Sequence, residues 1–152
     1  MRRYVEEDGQ HRIQKMEVGD KLVTRSRVIT KTDLELFAVC TGATAPLFLS
    51  EDYAKSVGWK TQLTPGLLTY SVALGLMIQS GFLADVVAYI GTNNMKFIAP
   101  VYPYDTIRVE VEVLGKKQTK KGNFVCDYKW VIKNQHDEAV AEGENTSMCK
   151  PG

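Results

Sequence analysis

The stretch PGLLTYSVALGLMIQSG, residues 65–81, is the most apolar segment of the 152-residue chain. It predicts a helix with almost no polar face, built from Leu67, Leu68, Val72, Ala73, Leu74, Leu76, Met77 and Ile78. A helix that is apolar nearly all round must be wrapped by other structure. We expect Thr64 to cap this helix and Pro65 to open its first turn, where the missing N–H of proline is not needed.

The segments that follow supply the wrapping. Apolar residues alternate with polar ones at 107–113, at 124–132 and again at 139–148, which is the period-two pattern of half-buried strands. Residues 86–100 predict an earlier strand interrupted near Gly91, and residues 21–30 predict a first strand. Turns at 115–123 and 134–138 link the last three strands as hairpins. The fold class is therefore α+β, with an antiparallel sheet of about five strands curled round one long central helix.

Two short helices are expected between the first strand and the central helix. Thr32 and Glu35 have the spacing of a capping box, and the helix that they begin ends at Gly42. Ser50 caps a second helix, which Gly58 closes.

Composition limits the partners and the compartment. A formal net charge of +1 gives no reason to expect a nucleic acid or an anionic membrane. The 17 residues at 65–81 fall at the lower limit of a membrane span, and Ser71 and Gln79 lie among them, so a buried helix is favoured. The three cysteines are widely spaced and predict neither disulfide nor zinc site, which fits a cytoplasmic protein. We divide the chain into an N-terminal arm, residues 1–17, and one domain, residues 18–152.

Four blocks of sequence then resemble a known family over roughly residues 18–148. They are EVGDKL at 17–22, TG and APL at 41–47 with EDYAKSVGW at 51–59, PGLLT at 65–69, and MKFIAPVYPYDTIRVEVEV at 95–113. Together they resemble the MaoC-like dehydratase family, which includes (R)-specific enoyl-CoA hydratases. The resemblance implies the hotdog fold, an antiparallel sheet wrapped round one long central helix.

The chain departs from that family where the chemistry takes place. Active hydratases of the family that this chain resembles carry an aspartate, an asparagine and a histidine. This chain has Ala43, Ala45 and Phe48 at the corresponding positions. A further histidine is replaced by Pro65. In those hydratases the Asp/His pair adds water across a trans-2-enoyl thioester, and positioned acid/base groups contribute about 10²- to 10⁴-fold in rate. No residue is assigned as catalytic, and hydration is expected to be lost or strongly reduced.

The binding half of the site is retained. The amides of Gly66 and Leu67 open the central helix at its positive end, and the resemblance implies that the Gly66 amide holds the thioester carbonyl. Gly66 alternatively serves close helix packing alone. The residues expected to line the pocket are Ala43, Ala45, Phe48, Pro65 and Tyr70. Alternatively, Phe48 fills the cavity and blocks it. Lys96 is the candidate residue for binding the phosphates of coenzyme A. The lysines at 116–121 are read as a solvated hairpin.

The sequence thus predicts a hotdog protein of fatty acid metabolism that binds an acyl-CoA or acyl-carrier thioester, and whether it is an enzyme stays open. One alternative is an active hydratase or thioesterase with a relocated carboxylate, at Glu51 or Asp52. Another is a non-catalytic subunit that pairs with an intact hotdog chain.

The histidines, His11 in the arm and His136 in a turn, are read as surface residues. No cofactor or metal is expected beyond the coenzyme A thioester as ligand. Open sheet edges predict at least a homodimer.

Overall fold

The computed structural model describes residues 1–6 and 11–151. Its helices are α1 Lys31–Thr41, α2 Pro46–Leu49, α3 Glu51–Ser56 and α4 Gly66–Gln79, with one 3₁₀ turn at Ile13–Lys15. Its strands are β1 Arg3–Val5, β2 Lys21–Val23, β3 Arg27–Val28, β4 Val86–Phe97, β5 Thr106–Gln118, β6 Phe124–Lys133 and β7 Ala139–Cys149. Residues 7–10 of the predicted arm, and residue 152, lie outside the described residues.

The sheet has seven strands in the order β1-β2-β5-β6-β7-β4, and β3 pairs separately with β5. Among the described strands, only β1 and β2 pair in parallel. Strands β5, β6 and β7 agree with the three predicted period-two segments. Strand β4 agrees with the strand predicted at 86–100 and shifts register between Tyr89 and Gly91, near the predicted interruption. The sheet is larger than the predicted five strands because residues 3–5 of the arm add an edge strand and the predicted first strand is divided.

Thr24 divides the predicted first strand into β2 and β3. Its backbone amide donates to the Val109 carbonyl over 2.9 Å, but the Val109 amide donates to the Thr24 hydroxyl instead of to a backbone carbonyl. The hydroxyl in turn donates to the Arg25 carbonyl. Because a side chain replaces the backbone partner at this point, the ladder with β5 breaks and resumes at Arg27.

Both predicted caps near α1 and α4 need correction. Thr30 caps α1 and forms the capping box with Asp33, two residues before the predicted pair of Thr32 and Glu35. Asp33 also accepts from the Arg27 guanidinium over 2.8 Å, a contact between β3 and α1 that local sequence does not reveal. Gly42 ends α1 in the left-handed conformation, as predicted.

Thr64 does not cap α4. The N-cap is Pro65, whose backbone is extended, and no side chain bonds to the first amides of the helix. The residue before a proline is confined to extended conformations, and the Thr64 amide is held by the Val101 carbonyl over 2.8 Å. These two constraints keep the Thr64 hydroxyl away from the helix, where it is buried without a hydrogen-bond partner among the described residues.

Helix α4 lies against the concave face of the sheet. Its buried residues, Leu68, Ala73, Leu76 and Met77, belong to one core with the inward positions of β5 and β6. Trp130 is the largest fully buried side chain of that core. Its ring crosses directly over Gly143, the residue opposite it on β7, so that a Cβ on this glycine would lie 2.5 Å from the indole. Within the described residues, no helix is long and apolar enough to cross a membrane.

Two glycine-to-alanine substitutions are expected to change stability in opposite directions. Gly143→Ala forces the buried Trp130 ring to move and should lower the free energy of unfolding by about 1–3 kcal/mol. Gly75→Ala, inside α4, meets no atom within 4 Å and should raise it by about 0.5–1 kcal/mol, because glycine is unfavourable in a helix interior. Urea unfolding of both variants measures the difference. Equal effects of the two would contradict the described packing of Trp130 on β7.

Candidate functional site

The N-terminus of α4 presents free backbone amides. The first intrahelical hydrogen bond joins the Thr69 amide to the Pro65 carbonyl over 3.0 Å, so the amides of Gly66 and Leu67 have no acceptor within the helix. They lie at the positive end of the helix dipole. The Phe97 ring packs over Gly66 so closely that a Cβ at this position would lie 2.8 Å from it. The close approach of Phe97 therefore accounts for glycine at this position, which fits the interpretation that Gly66 serves close packing. Whether the Gly66 amide also binds a ligand is a separate question that this contact does not decide.

A smaller cavity of about 430 Å³ lies on one side of this helix end. Its wall is mostly apolar and includes Phe48 of α2, Trp59, Leu63 and Phe97. Two hydroxyls interrupt that wall, those of Thr64 and Thr69, and both are buried without a hydrogen-bond partner among the described residues.

A larger cavity of about 1000 Å³ lies on the other side, between α4 and β4. The end of α1, the segment at 83–86 and the inner face of the sheet complete its wall, which includes Phe37, Leu74, Ile78, Leu83 and Met95. Leu67, with 60% of its surface exposed, lines both cavities. The free amides of α4 therefore lie where the two cavities adjoin.

A network of neutral hydrogen bonds forms the polar part of the larger cavity. Asn145 of β7 is buried and makes four side-chain hydrogen bonds. Its Oδ1 accepts from Trp130 Nε1 and from the Thr92 hydroxyl, each over 2.9 Å. Its Nδ2 donates to the hydroxyls of Tyr70 and Tyr128, over 2.9 and 3.0 Å. One amide thus fixes groups from α4, β4 and β6 relative to one another.

The described side chains that line the two cavities include no aspartate, glutamate, histidine, lysine, arginine or cysteine. The ionisable groups among them are tyrosines. Burial raises the pKa of Tyr128 to about 12, against the opposing hydrogen bond from Asn145. Burial and the hydrogen bond with Tyr70 also raise the pKa of Tyr89. General acid/base work near neutral pH needs a group whose pKa lies near that pH, and neither of these tyrosines provides one.

The structure places the predicted site residues around the helix end without gathering all of them in one pocket. Phe48, Gly66 and Leu67 line the smaller cavity, and Leu67 and Tyr70 line the larger one. Three residues line neither cavity: Ala43 is half-buried, Ala45 exposed and Pro65 buried. Ala43 nevertheless lies close to the larger cavity, because its amide donates over 3.2 Å to the hydroxyl of Thr41, which lines that cavity. Phe48 therefore lines the smaller cavity, and Ala43 lies next to a residue that lines the larger one.

The candidate carboxylates and the candidate phosphate-binding lysine lie elsewhere. Glu51 and Asp52 are exposed in the first turn of α3, and the hydrogen bond from Lys55 lowers the pKa of Glu51. Lys96 lies opposite Glu142 in the register of β4 and β7 and lines a small surface cavity with Glu142 and Glu144. None of these three candidates lines the cavities beside α4.

The two histidines and the basic hairpin also lie away from the cavities. His11 stacks on the Tyr4 ring with centroids 4.2 Å apart, and His136 is exposed in the β6–β7 turn. The ammonium of Lys116 donates to the carbonyls of Gln14 and Met16, so that it holds the N-terminal segment against the sheet.

Trp59, for which the sequence leaves both a pocket wall and ordinary core open, lines the smaller cavity with 39% of its surface exposed. Sequence reasoning missed several other cavity residues. Phe97, Tyr89, Thr92 and Tyr128 also line the cavities without having been singled out. Asn145 carried a usable signal, because it is an amide at an inward position of a strand, where a polar side chain must find buried partners.

Comparison with known proteins identifies the family and the fold of this chain. The profile of the MaoC like domain matches residues 13–135. The uncharacterized protein YdeM of Bacillus subtilis is 29% identical over 136 residues, which cover 88% of this chain and 94% of that protein. The (R)-specific enoyl-CoA hydratase of Rhodospirillum rubrum is 30% identical over 104 residues, which cover 63% of this chain and 65% of that protein.

Among solved structures, the R-hydratase PhaJ1 of Pseudomonas aeruginosa superimposes with a TM-score of 0.75 at 26% identity, covering 92% of this chain and 86% of that one. The sheet wrapped round α4 is shared with MaoC-like proteins of the hotdog fold, and the predicted fold class is confirmed. The match over residues 13–135 and the shared architecture establish that this chain belongs to the MaoC-like domain family of hotdog dehydratases and hydratases.

Proposed function

We propose that this protein binds an acyl thioester, of coenzyme A or an acyl carrier, and that its hydratase activity is lost or strongly reduced. The observation that carries the proposal is a helix end with free amides that lies between two cavities whose described walls hold no carboxylate and no imidazole. The named activity of relatives such as the (R)-specific enoyl-CoA hydratase supports the ligand class.

The thioester carbonyl is placed at the amides of Gly66 and Leu67. An oxygen with partial negative charge is stabilised there by unpaired N–H groups and by the helix dipole. The acyl tail then enters the larger cavity beside Tyr70 and Leu74, where its burial contributes about 25 cal/mol per Å² of apolar surface removed from water. The smaller cavity, on the Phe48 side, is left for the thiol part of the ligand.

The proposed loss of hydratase activity follows from the side chains of Ala43 and Phe48. Neither side chain can take or give a proton, and each stands where the family's acid/base pair is expected. Glu51 does not replace that pair, because it is exposed, is bound to Lys55 over 2.8 Å and lines neither cavity. Asp52 likewise lines neither cavity. The geometry thus favours binding over the alternative of a relocated carboxylate.

Binding and hydration can be measured separately. Hexanoyl-CoA should bind with an affinity that changes little between pH 7.5 and 9, since burial raises the pKa of Tyr89 and Tyr128 well above that range. Hydration of crotonyl-CoA should be slower than an ordinary hydratase by about 10²- to 10⁴-fold. Glu51→Gln and Asp52→Asn are the controls and should alter neither result. Turnover of about 1–10³ s⁻¹, lost in either control variant, would show that a carboxylate has been relocated.

Restoring the acid/base pair tests the origin of the loss. The double variant Ala43→Asp with Phe48→His should hydrate crotonyl-CoA at least about tenfold faster than the parent, because the family resemblance places the acid/base pair at these two positions and positioned acid/base groups contribute about 10²- to 10⁴-fold. Each single variant serves as a control and should remain near the parent rate. If the folded double variant binds hexanoyl-CoA but shows no gain, the backbone at these positions no longer has the family's geometry.

We further propose that a second copy of this chain pairs along β4. This strand is one edge of the sheet and carries the exposed apolar side chains Val87, Tyr89, Ile90 and Phe97. Ile98, just beyond it, and Leu67 and Ile78 of the neighbouring α4 are exposed as well. An unpaired edge with apolar side chains invites strand pairing, and a partner there would close the larger cavity, which is lined partly by β4.

Sedimentation should show a dimer at micromolar concentration. Ile90→Lys places a charge on the β4 edge and should weaken the dimer by about tenfold or more, because charged edge residues oppose pairing. Leu36→Lys alters an equally exposed apolar residue of α1 and should leave the dimer intact. A wild-type monomer, or a dimer that only Leu36→Lys dissociates, would contradict pairing at β4. Co-purification of a different hotdog chain would instead indicate the non-catalytic-subunit alternative.

A further inference from the structure

The larger cavity contains one polar patch that an ordinary fatty acyl tail does not need. We call it the phenol patch and define it as the hydroxyls of Tyr70, Tyr89 and Tyr128. Asn145 orients two of these hydroxyls, and the remaining cavity wall is mostly aliphatic. Tyr128 and Asn145 are each 1% exposed, so their hydrogen bonds form away from bulk water.

The direction of each hydrogen bond follows from its partners. Trp130 Nε1 can only donate, so the atom of Asn145 that faces it must be the carbonyl oxygen. The amide nitrogen of Asn145 therefore faces the other way and donates both of its protons, one to Tyr70 and one to Tyr128. Each of these phenol oxygens is thus an acceptor in the network, and each still has its own proton to donate.

The proton of Tyr70 has only distant acceptors within the described residues. These acceptors are the oxygens of Tyr89 and Thr92, at 3.4 and 3.5 Å. Both distances exceed the 2.5–3.0 Å typical of hydrogen bonds between hydroxyls. The Tyr128 hydroxyl has the hydroxyl of Ser147 as a hydrogen-bond neighbour besides Asn145, and Ser147 lines the same cavity. The hydroxyls of Tyr89 and Tyr128 are neutral at neutral pH, as the ordinary tyrosine pKa near 10 requires, and desolvation raises the pKa of each further.

A saturated hydrocarbon tail would cover these hydroxyls without offering an acceptor, which penalises its binding. A carboxylate would offer acceptors but would bring a charge into a cavity whose described lining includes no cation. A ketone oxygen avoids both costs, because it is neutral and only accepts hydrogen bonds.

We propose that the larger cavity selects acyl groups that carry a neutral accepting oxygen, such as a ketone, in the tail, and that the hydroxyls of Tyr70 and Tyr128 recognise it. This inference rests on the proposed function, since it takes the thioester to lie at the amides of Gly66 and Leu67. Tyr70 follows Gly66 by four residues, which is about 6 Å along the helix axis. The recognised oxygen is therefore separated from the thioester and is not the C3 oxygen that hydration of an enoyl thioester would add.

The test compares three six-carbon ligands by calorimetry. They are hexanoyl-CoA, 5-oxohexanoyl-CoA and adipoyl-CoA, which end in a methyl group, a methyl ketone and a carboxylate. The wild-type protein should bind the ketone about tenfold more tightly than hexanoyl-CoA, the gain of roughly one to two hydrogen bonds, and should show no such gain for adipoyl-CoA.

Tyr70→Phe should reduce severalfold the ratio of the affinity for 5-oxohexanoyl-CoA to the affinity for hexanoyl-CoA, and Tyr128→Phe should do the same. Tyr53→Phe is the control, since this exposed tyrosine of α3 lines neither cavity, and it should preserve the preference. Thermal unfolding checks that each variant is folded. Tyr70 is only half-buried, so Tyr70→Phe alone decides the test if Tyr128→Phe does not fold.

The inference about the phenol patch is overturned if hexanoyl-CoA and 5-oxohexanoyl-CoA bind equally, or if Tyr70→Phe leaves the preference intact. Both of those outcomes keep the proposed thioester site, because the ligands still bind. Failure of all three ligands to bind would instead overturn the thioester site and this inference with it.

Discussion

The structure depends on one constraint, which is that α4 is apolar nearly all round and has to be covered. The sheet of a single chain covers the side that carries Leu68, Ala73 and Met77. The opposite side, with Leu67 and Ile78, is left exposed beside the β4 edge. Cavities form where this coverage is incomplete, and the free amides at the start of α4 lie at their junction. The proposed binding site and the proposed association surface therefore both lie where the covering of α4 is incomplete.

The second property of the site is its electrical neutrality. The resemblance implies a carboxylate and an imidazole in active hydratases, whereas this chain has Ala43 and Phe48 at the corresponding positions. In the proposed function a ligand is stabilised by the dipole of α4, the amides of Gly66 and Leu67, and hydroxyls held by Asn145. Fixed neutral dipoles of this kind can hold a carbonyl oxygen without supplying a proton. Under the proposed function, the site keeps one of the two tasks of a hydratase, binding the thioester, and lacks the other, activating water.

Local patterns were sufficient to predict much of the fold. The alternation at 107–113 and at 124–132 is decided by which face of a strand is buried, and α4 follows from a run of apolar residues, so both are visible in the sequence. The caps were less predictable, because Thr30 with Asp33 and Thr32 with Glu35 have the same local spacing, and the sequence did not reveal that Asp33 also accepts a hydrogen bond from Arg27. The network round Asn145 was not predictable at all, since its partners come from α4, β4 and β6. Contacts between elements far apart in sequence, rather than local propensity, decided this network.

The central claim is that the thioester lies at the amides of α4 while the tail lies between α4 and β4. A crystal structure with 6-bromohexanoyl-CoA tests it most directly, because anomalous scattering locates the bromine independently of the protein phases. The account predicts bromine in the larger cavity near Tyr70, with the thioester oxygen about 2.7–3.2 Å from the Gly66 amide nitrogen. Bromine in the smaller cavity beside Trp59, or a thioester oxygen remote from the start of α4, would contradict it.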